Sequence, residues 1–170
     1  MEEHYLMMHK GKDDAKMNEE QLFQQIDMIR QNTLNEMEGL SEQQADQMPA
    51  GFNNTIRWNL AHIYTVQNLL LSNYGGKNIE TPSRYPELFA PGTKPADWEG
   101  EVPTLDEIKQ HLENQPAKLK ETLSGQLDNK AAKPFMSLPT VGEILNFTLY
   151  HEGMHVGVIK GIKKANSGAE

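Results

Sequence analysis

Three histidines are spaced so that they could bind a single metal ion. His151 and His155 are four residues apart, and on a helix this spacing places both imidazoles on one face, about one turn from each other. Both also fall on the apolar stripe of their segment, so we expect them to face the interior. Burial of two imidazoles is costly unless they are neutral and have partners. The pair by itself is explained equally well by two core histidines that hydrogen-bond to neighbouring groups.

His62 supplies the third ligand that the pair lacks. It lies one turn after Trp58 on a different predicted helix, toward the apolar side. A single histidine at such a position is usually a hydrogen-bonded core residue, but helical bundles build metal sites from side chains on facing helices. We therefore predict that His62, His151 and His155 bind one divalent transition metal ion. Three neutral imidazoles leave a coordination position open, which is typical of catalytic sites.

The same segment also matches a peptidase motif. Residues 151–155 spell H-E-x-x-H, in which two histidines bind zinc and Glu152 would be the general base. The third ligand of such peptidases is missing, because position 161 is glycine and the only carboxylate side chain after His155 belongs to Glu170. No strand that could hold a peptide is evident either. We expect Gly153 and Gly157 to allow close backbone approach inside a bundle instead.

Other candidate residues have weaker patterns. His111 lies at the edge of an apolar stripe, and we predict a solvated or hydrogen-bonded surface histidine there, not a fourth ligand. Tyr150 and Glu152 flank His151 and could orient its imidazole or contact a substrate, although ordinary packing explains them as well. Glu152 is the one candidate catalytic residue.

Composition excludes several classes of protein. Sixteen basic and 24 acidic residues give a net charge of −8, which disfavours contact with a nucleic-acid backbone. There are no cysteines, so disulfides, thiolate ligands and a cysteine nucleophile are excluded. Residues 1–16 are acidic where a signal peptide would be basic, and no segment is apolar enough to span a membrane. We expect a cytoplasmic protein in which residues 1–16, with His4 and His9, form a loose extension without a functional role.

Four segments have the period of amphipathic helices, and none alternates like a strand. The first covers about residues 19–38, and a short capping turn follows at residues 41–44. The second begins after the N-cap candidates at residues 53–55 and ends at two glycines. The third and fourth begin with capping boxes at Thr104 and Thr140.

A long crossover separates the second and third helices. Residues 77–103 contain more than half of the chain's prolines, so we expect irregular structure there. Such long loops are uncommon unless they cover something, and Tyr85 and Trp98 could either form a lid over a pocket or simply bury the loop. Pro116 predicts a kink in the third helix. The pattern as a whole predicts an all-α protein, a four-helix bundle with a Pro-rich crossover.

Two segments resemble the DinB/YfiT-like family. Residues 53–63, NNTIRWNLAHI, are similar to the second-helix motif of that family, where a tryptophan precedes the first metal histidine by one turn. Residues 151–159, HEGMHVGVI, look like its closing motif, H-x-x-x-H followed by a small residue and an aliphatic pair. The order of the helices, the crossover and the overall length also agree from Met17 onward.

The resemblance implies a single four-helix-bundle domain at residues 17–166 and a three-histidine site for zinc, nickel or a similar ion, often in a homodimer. Members with an assigned reaction are mostly thiol-dependent, and they include bacillithiol transferases and mycothiol-dependent maleylpyruvate isomerases. We therefore expect a metal-dependent thiol S-transferase that joins a low-molecular-weight thiol to small electrophiles. Two alternatives remain open: a small-molecule metallohydrolase that uses Glu152 as base, and a non-enzymatic stress protein that binds a metal or a ligand.

Overall fold

Four long helices dominate the computed structural model, which describes residues 18–168. The predicted extension at residues 1–16 lies outside this range. In chain order the elements are α1 (Glu19–Asn35), α2 (Glu42–Asp46), α3 (Ile56–Asn73), α4 (Tyr85–Phe89), a 3₁₀ turn (Pro95–Asp97), α5 (Leu105–Leu123), β1 (Lys130–Phe135), β2 (Leu138–Thr140) and α6 (Val141–Ser167). The predicted all-α architecture is confirmed, because α1, α3, α5 and α6 form the bundle and the remaining elements are short.

The helices begin where the sequence predicts. Side chains of Asn18, Ser41, Thr104 and Thr140 each cap a helix in a reciprocal capping box, and Thr55 caps α3 through the backbone N–H of Trp58. The end of α1 differs from the prediction. The helix stops at Asn35 and not near residue 38, because the next residues form a turn that ends at Gly39 with φ of 67°.

The interior contains two apolar clusters, one at each end of the bundle. Helix α3 contributes to both and is buried along nearly its whole length, which shows that the other elements surround it. The cluster near the start of α3 includes Ile56, Leu60, Ile108, Leu112 and Ile159. The cluster near its end includes Ile26, Leu70, Leu119, Ile144 and Leu145. None of the described helices is both long and apolar enough to cross a bilayer.

The crossover is more ordered than predicted, since it contains α4 and the 3₁₀ turn. Trp58 of α3 fastens it to the bundle, because its Nε1 donates to Thr93 Oγ1 at 2.9 Å. Within the crossover, Trp98 Nε1 donates to the carbonyl of Leu88 at 3.0 Å. Tyr85 is buried, and its ring packs against Tyr64 at a centroid distance of 5.6 Å. Tyr85 and Trp98 therefore bury the crossover, which is the second of the two roles considered from the sequence.

A β-hairpin precedes α6, so the expectation that the chain contains no strand was wrong. Strand β1 pairs antiparallel with β2. Most residues of β1 are exposed and do not alternate, which is why the sequence pattern gave no strand signal. Tertiary contacts hold the hairpin instead: the backbone N–H of Lys133 donates to the carbonyl of Tyr74 at 3.1 Å, and the Phe135 ring packs on the rings of Tyr74 and Phe147.

Pro116 lies inside α5 without interrupting it. A proline has no N–H, so the carbonyl of Leu112, four residues earlier, cannot receive its usual helical bond. Arg30 of α1 replaces that donor, because its Nη1 donates to the Leu112 carbonyl at 2.7 Å. The proline thus creates an acceptor on α5 for a side chain from another helix.

Gly153 and Gly157 lie on the outer face of α6, so the expectation of close backbone approach there was wrong. Both residues are exposed, and a Cβ built on either one would meet no atom within 4 Å. The prediction failed because helical spacing shows which residues share a face, but not which face meets the neighbouring helices. Gly161 is different, because a Cβ there would lie 3.3 Å from the Phe52 ring.

Candidate metal centre

The three predicted histidines come together between α3 and α6. Their candidate ligand nitrogens all lie within 4.8 Å of one another, and the Nε2 atoms of His151 and His155 are 3.2 Å apart. The ring of His62 is 5.1 Å from that of His151 and 4.6 Å from that of His155, measured between centroids. Among the described residues this is the one group of three or more metal-ligating side chains.

The crossover and Trp58 fix the orientation of His62. Its Nδ1 lies 2.6 Å from the carbonyl oxygen of Phe89, which can only accept, so Nδ1 carries the proton and Nε2 is left with a lone pair. The indole of Trp58, one turn earlier on α3, stacks on the imidazole with centroids 4.2 Å apart and an interplanar angle of 18°. The hydrogen bond from Trp58 to Thr93 holds the indole in place.

Asn59 fixes the orientation of His155. Its Nδ2 donates to the carbonyl of Thr55 at 2.7 Å, so its Oδ1 must be the atom that faces His155. That oxygen lies 2.7 Å from His155 Nδ1 and accepts a hydrogen bond from its N–H. His155 therefore also presents an unprotonated Nε2 to the cluster, as metal-binding histidines do when the other ring nitrogen is held by a neighbour.

Burial keeps the imidazoles neutral. Desolvation lowers the pKa of His62 to about 4, although the Phe89 carbonyl opposes the shift. Desolvation and the neighbouring imidazoles lower the pKa of His155 to about 3. The pKa of His151 is also lowered by burial, with a smaller opposite effect from Glu152. At neutral pH the cluster therefore presents neutral nitrogen donors, the form that binds metal ions.

The cluster is accessible from one side. His62 is only 4% exposed, whereas His151 and His155 are half-buried. Three neutral imidazoles on two packed helices suit a divalent transition metal ion. The residues fit such an ion, because two of the three rings have their Nδ1 atoms engaged by protein acceptors and their Nε2 atoms directed together.

The remaining candidates lie outside the cluster. His111 is half-buried and packs against the rings of Tyr64 and Tyr85, at centroid distances of 5.0 and 5.2 Å. It is therefore neither a fourth member of the cluster nor a freely solvated residue. Tyr150 is 66% exposed, and its ring contacts that of Phe147. His4 and His9 lie outside the described residues.

The Glu152 carboxylate is bound by α1. Its two oxygens accept from Arg30 Nε at 2.8 Å and from Arg30 Nη2 at 3.0 Å, and Thr33 donates to it as well. The side chain of Glu152 is 1% exposed and that of Arg30 2%. The role of Glu152 as a catalytic base stays a prediction, and these contacts give its carboxylate a structural role.

Sequence reasoning missed Asn59, which accepts from His155, and Arg30, which binds Glu152. The motif at residues 53–63 contains Asn59 but predicts no role for it, and no motif includes Arg30. Both had a recognisable signal. Arg30 falls four residues after Ile26 on the apolar stripe of α1, and Asn59 is a polar residue between Trp58 and Leu60, one turn before His62.

Comparisons with known proteins agree with the helical fold. The sequence profile described as the DinB superfamily matches residues 25–159. A solved structure, the crystal structure of a conserved protein from Enterococcus faecalis, superposes with a TM-score of 0.61 at 14% identity, over 91% of this chain and 99% of that chain. At this identity the likeness concerns the fold. No functionally curated protein matches the sequence.

Fold and site together define a helical bundle with a three-histidine group that could bind a metal ion between its second and last long helices. The profile match spans most of the chain and includes all three histidines. This protein belongs to the DinB superfamily.

Proposed function

We propose that this protein binds one divalent transition metal ion, zinc or nickel, through Nε2 of His62, His151 and His155, and that it transfers a low-molecular-weight thiol to small electrophilic molecules. The observation that supports the proposal is the convergence of the three rings, with Nδ1 of His62 and of His155 held by Phe89 and Asn59. Protein ligands on one side and a half-buried opening on the other suit a site that also receives a small molecule.

The bound ion would supply Lewis acidity, which lowers the pKa of a thiol or of water. The chain contains no cysteine, so the sulfur must come from a soluble thiol. In the transfer, that sulfur forms a bond to the electrophilic carbon, its proton passes to solvent, and the leaving group departs with the electron pair of the broken bond. The protein's own part is to hold three neutral imidazoles in fixed orientations and to shield them partly from water.

The contacts of Glu152 weigh against the metallohydrolase alternative. A general base needs a free lone pair directed at the attacking water. Both carboxylate oxygens of Glu152 instead accept hydrogen bonds from Arg30, and Thr33 adds another, in a place closed to solvent. A hydrolase would have to break this buried ion pair or use a base other than Glu152.

Metal binding can be tested first and by itself. Protein purified without a nickel column should contain about one transition metal ion per chain, or take one up on titration with zinc or nickel. His151→Ala should lose tight binding, and His111→Ala is the matched control, because it removes a half-buried histidine outside the cluster. Absence of metal after purification, together with no uptake on titration, would refute the proposed site.

The reaction needs a separate assay. Metal-loaded protein is incubated with a panel of cellular thiols and the electrophile monochlorobimane, and conjugation is followed by fluorescence. Conjugation that requires the metal and is lost in His151→Ala supports the transferase. Hydrolysis of an ester or amide panel that is lost in metal-loaded Glu152→Gln would favour the hydrolase instead. If the fully metal-loaded protein shows neither conjugation nor hydrolysis, a non-enzymatic binding protein is favoured.

A further inference from the structure

A layer of buried polar side chains separates the two apolar clusters. Helices α1, α3 and α6 contribute side chains close to the point where their residues change from one cluster to the other, and α5 contributes the carbonyl of Leu112. The layer, which we call the polar layer, consists of Arg30, Thr33, Gln67, Thr148 and Glu152. All five residues are at most 2% exposed, so water cannot satisfy their polar groups.

Arg30 is the centre of the polar layer. It donates from Nε and Nη2 to Glu152 of α6, from Nη2 to Gln67 Oε1 of α3 at 3.1 Å, and from Nη1 to the carbonyl of Leu112 on α5 at 2.7 Å. One guanidinium on α1 is thus bonded to all three other long helices. Its planar fork, with donors in fixed directions, suits this role better than a lysine would.

A second connection joins α3 directly to α6. Gln67 Nε2 donates to Thr148 Oγ1 at 2.8 Å, and the hydroxyl of Thr148 donates in turn to the carbonyl of Leu145 at 2.6 Å. The Gln67 amide therefore accepts from Arg30 with its oxygen and donates to Thr148 with its nitrogen, so both of its groups are used. Helix α6 is held at Thr148 and again one turn later at Glu152.

We infer that the polar layer sets the rotation and the axial position of α6, so that His151 and His155 face His62. Glu152 directly follows His151, and adjacent helical residues point about 100° apart. The bonds from Glu152 to α1 therefore direct His151 toward α3. Any other rotation or a shift by one turn would leave a buried carboxylate and guanidinium without partners, which is strongly unfavourable. Arg30, Gln67, Thr148 and Glu152 are positioning residues on this view.

The inference rests on the proposed metal site, so its test is designed to separate the two. The main variant is Arg30→Met/Glu152→Met, which removes both charges together and fills the space with apolar side chains, an exchange that buried ion pairs often tolerate. The matched control is Gln115→Met. Gln115 is also 2% exposed, but within residues 18–168 its side chain donates only to α3, to the Tyr64 carbonyl and Asn68 Oδ1, and makes no hydrogen bond to α6.

Binding of Co²⁺, which reports its ligand geometry through its visible absorption, is then compared among the folded proteins. We expect the double variant to unfold cooperatively and to show a changed absorption spectrum with Co²⁺. It should bind Co²⁺ about 10-fold or more weakly than the parent, because losing a residue that holds a metal ligand in place typically has an effect of this size. Gln115→Met should keep the parent's affinity and spectrum. A folded double variant with the parent's affinity and spectrum would overturn the inference.

Two further measurements cover the remaining outcomes. If the double variant does not fold, it is replaced by Gln67→Met and Glu152→Gln, which each remove only part of the layer. Parent-like Co²⁺ affinity and spectrum in these variants would again overturn the inference. Should the parent bind no metal, the proposed function fails, and the inference is tested on the metal-free proteins by NMR of the His155 Nδ1–H that Asn59 accepts. A signal shifted or lost in the polar-layer variant, but unchanged in Gln115→Met, supports the positioning role. An unchanged signal in both refutes it.

Discussion

Two groups of polar side chains meet on α6, and their hydrogen-bonding groups are used in different ways. His151 and Glu152 are adjacent in sequence, yet the first belongs to the histidine cluster of His62, His151 and His155, and the second to the polar layer. In the polar layer, charges of opposite sign pair with each other, and every donor of Arg30 described above has an acceptor within the protein. In the histidine cluster, like groups face each other, with two Nε2 atoms 3.2 Å apart.

The difference teaches how to separate structural from ligand-binding polar groups in one bundle. A complete set of internal partners and nearly full burial characterise a group that orders the fold. Nitrogen donors of one kind that converge on one point, while their other ring atoms are held by Phe89 and Asn59, characterise a group that binds something from outside. On this basis we assign the proposed metal binding to the histidines and the ordering of the fold to the polar layer.

The largest expected effect concerns metal affinity. Replacing His62, His151 or His155 by Ala should each weaken metal binding by more than the roughly 10–100-fold that the loss of an outer support costs, because a direct ligand is removed. The free energy of unfolding of the metal-free protein should change much less. Isothermal titration with zinc and urea unfolding measure the two quantities. If His62→Ala binds zinc as tightly as the parent does, the histidine cluster is not the ligand-binding group.

Single substitutions in the polar layer should lower the free energy of unfolding more than substitutions of the histidines do. Arg30→Met alone leaves the Glu152 carboxylate buried without its cation and should lower the free energy of unfolding by about 3–5 kcal/mol. Arg30→Met/Glu152→Met should recover most of that loss. Urea unfolding of the parent, both single variants and the double variant gives the coupling between the two residues. Single variants that cost less than about 1 kcal/mol would show that the pair behaves like a surface ion pair.

Substitution of Asn59 should have an intermediate effect on metal affinity, because Asn59 contacts the histidine cluster but is not a candidate ligand. Asn59→Leu removes the acceptor of His155 Nδ1–H and should reduce metal affinity by about 10–100-fold. Asn59→Asp keeps an oxygen in that place and should retain most of the affinity, although it loses the bond to the Thr55 carbonyl. Equal affinities for the two variants, measured by competition with a chelating dye, would remove Asn59 from the support of the site.

The smallest expected effect is the pH dependence of stability in the metal-free protein. The pKa of His62 is lowered from 6.5 to about 4 in the folded state, and that of His155 to about 3. Below pH 6.5 the unfolded chain therefore binds more protons than the folded one. The free energy of unfolding should be fully present above this pH and should fall as the pH decreases toward 4. Thermal unfolding at a series of pH values measures this slope, and His62→Gln/His155→Gln should reduce it. An equal slope in the double variant would assign the effect to other groups.

The sequence alone determined the helices and the candidate ligands. The capping residues at positions 55, 104 and 140 and the helical period depend on neighbours within a few residues, so they can be recognised without a structure. The i, i+4 spacing of His151 and His155 is local in the same sense. The convergence of His62 with them needed one further assumption, that the two helices pack side by side.

Tertiary structure decided what depends on distant residues. The β-hairpin exists because Tyr74 and Phe147 pack against it, and nothing within the hairpin sequence signals a strand. The exposure of Gly153 and Gly157 depends on which face of α6 meets the other helices. Pro116 by itself predicts a kink, and only the fold brings the side chain of Arg30 to the carbonyl that the proline leaves free.

Glu152 shows most clearly what the sequence predicts and what only the tertiary structure decides. From the sequence it is the glutamate of an H-E-x-x-H segment, and its neighbours in the chain suggest a base beside two ligands. In the fold its carboxylate is bonded to Arg30, 122 residues away. Local spacing fixes the direction in which a helical side chain points, but only the packing of other helices determines what it meets there. A buried carboxylate takes its role from that partner, since its charge is stable in the interior only when it is paired.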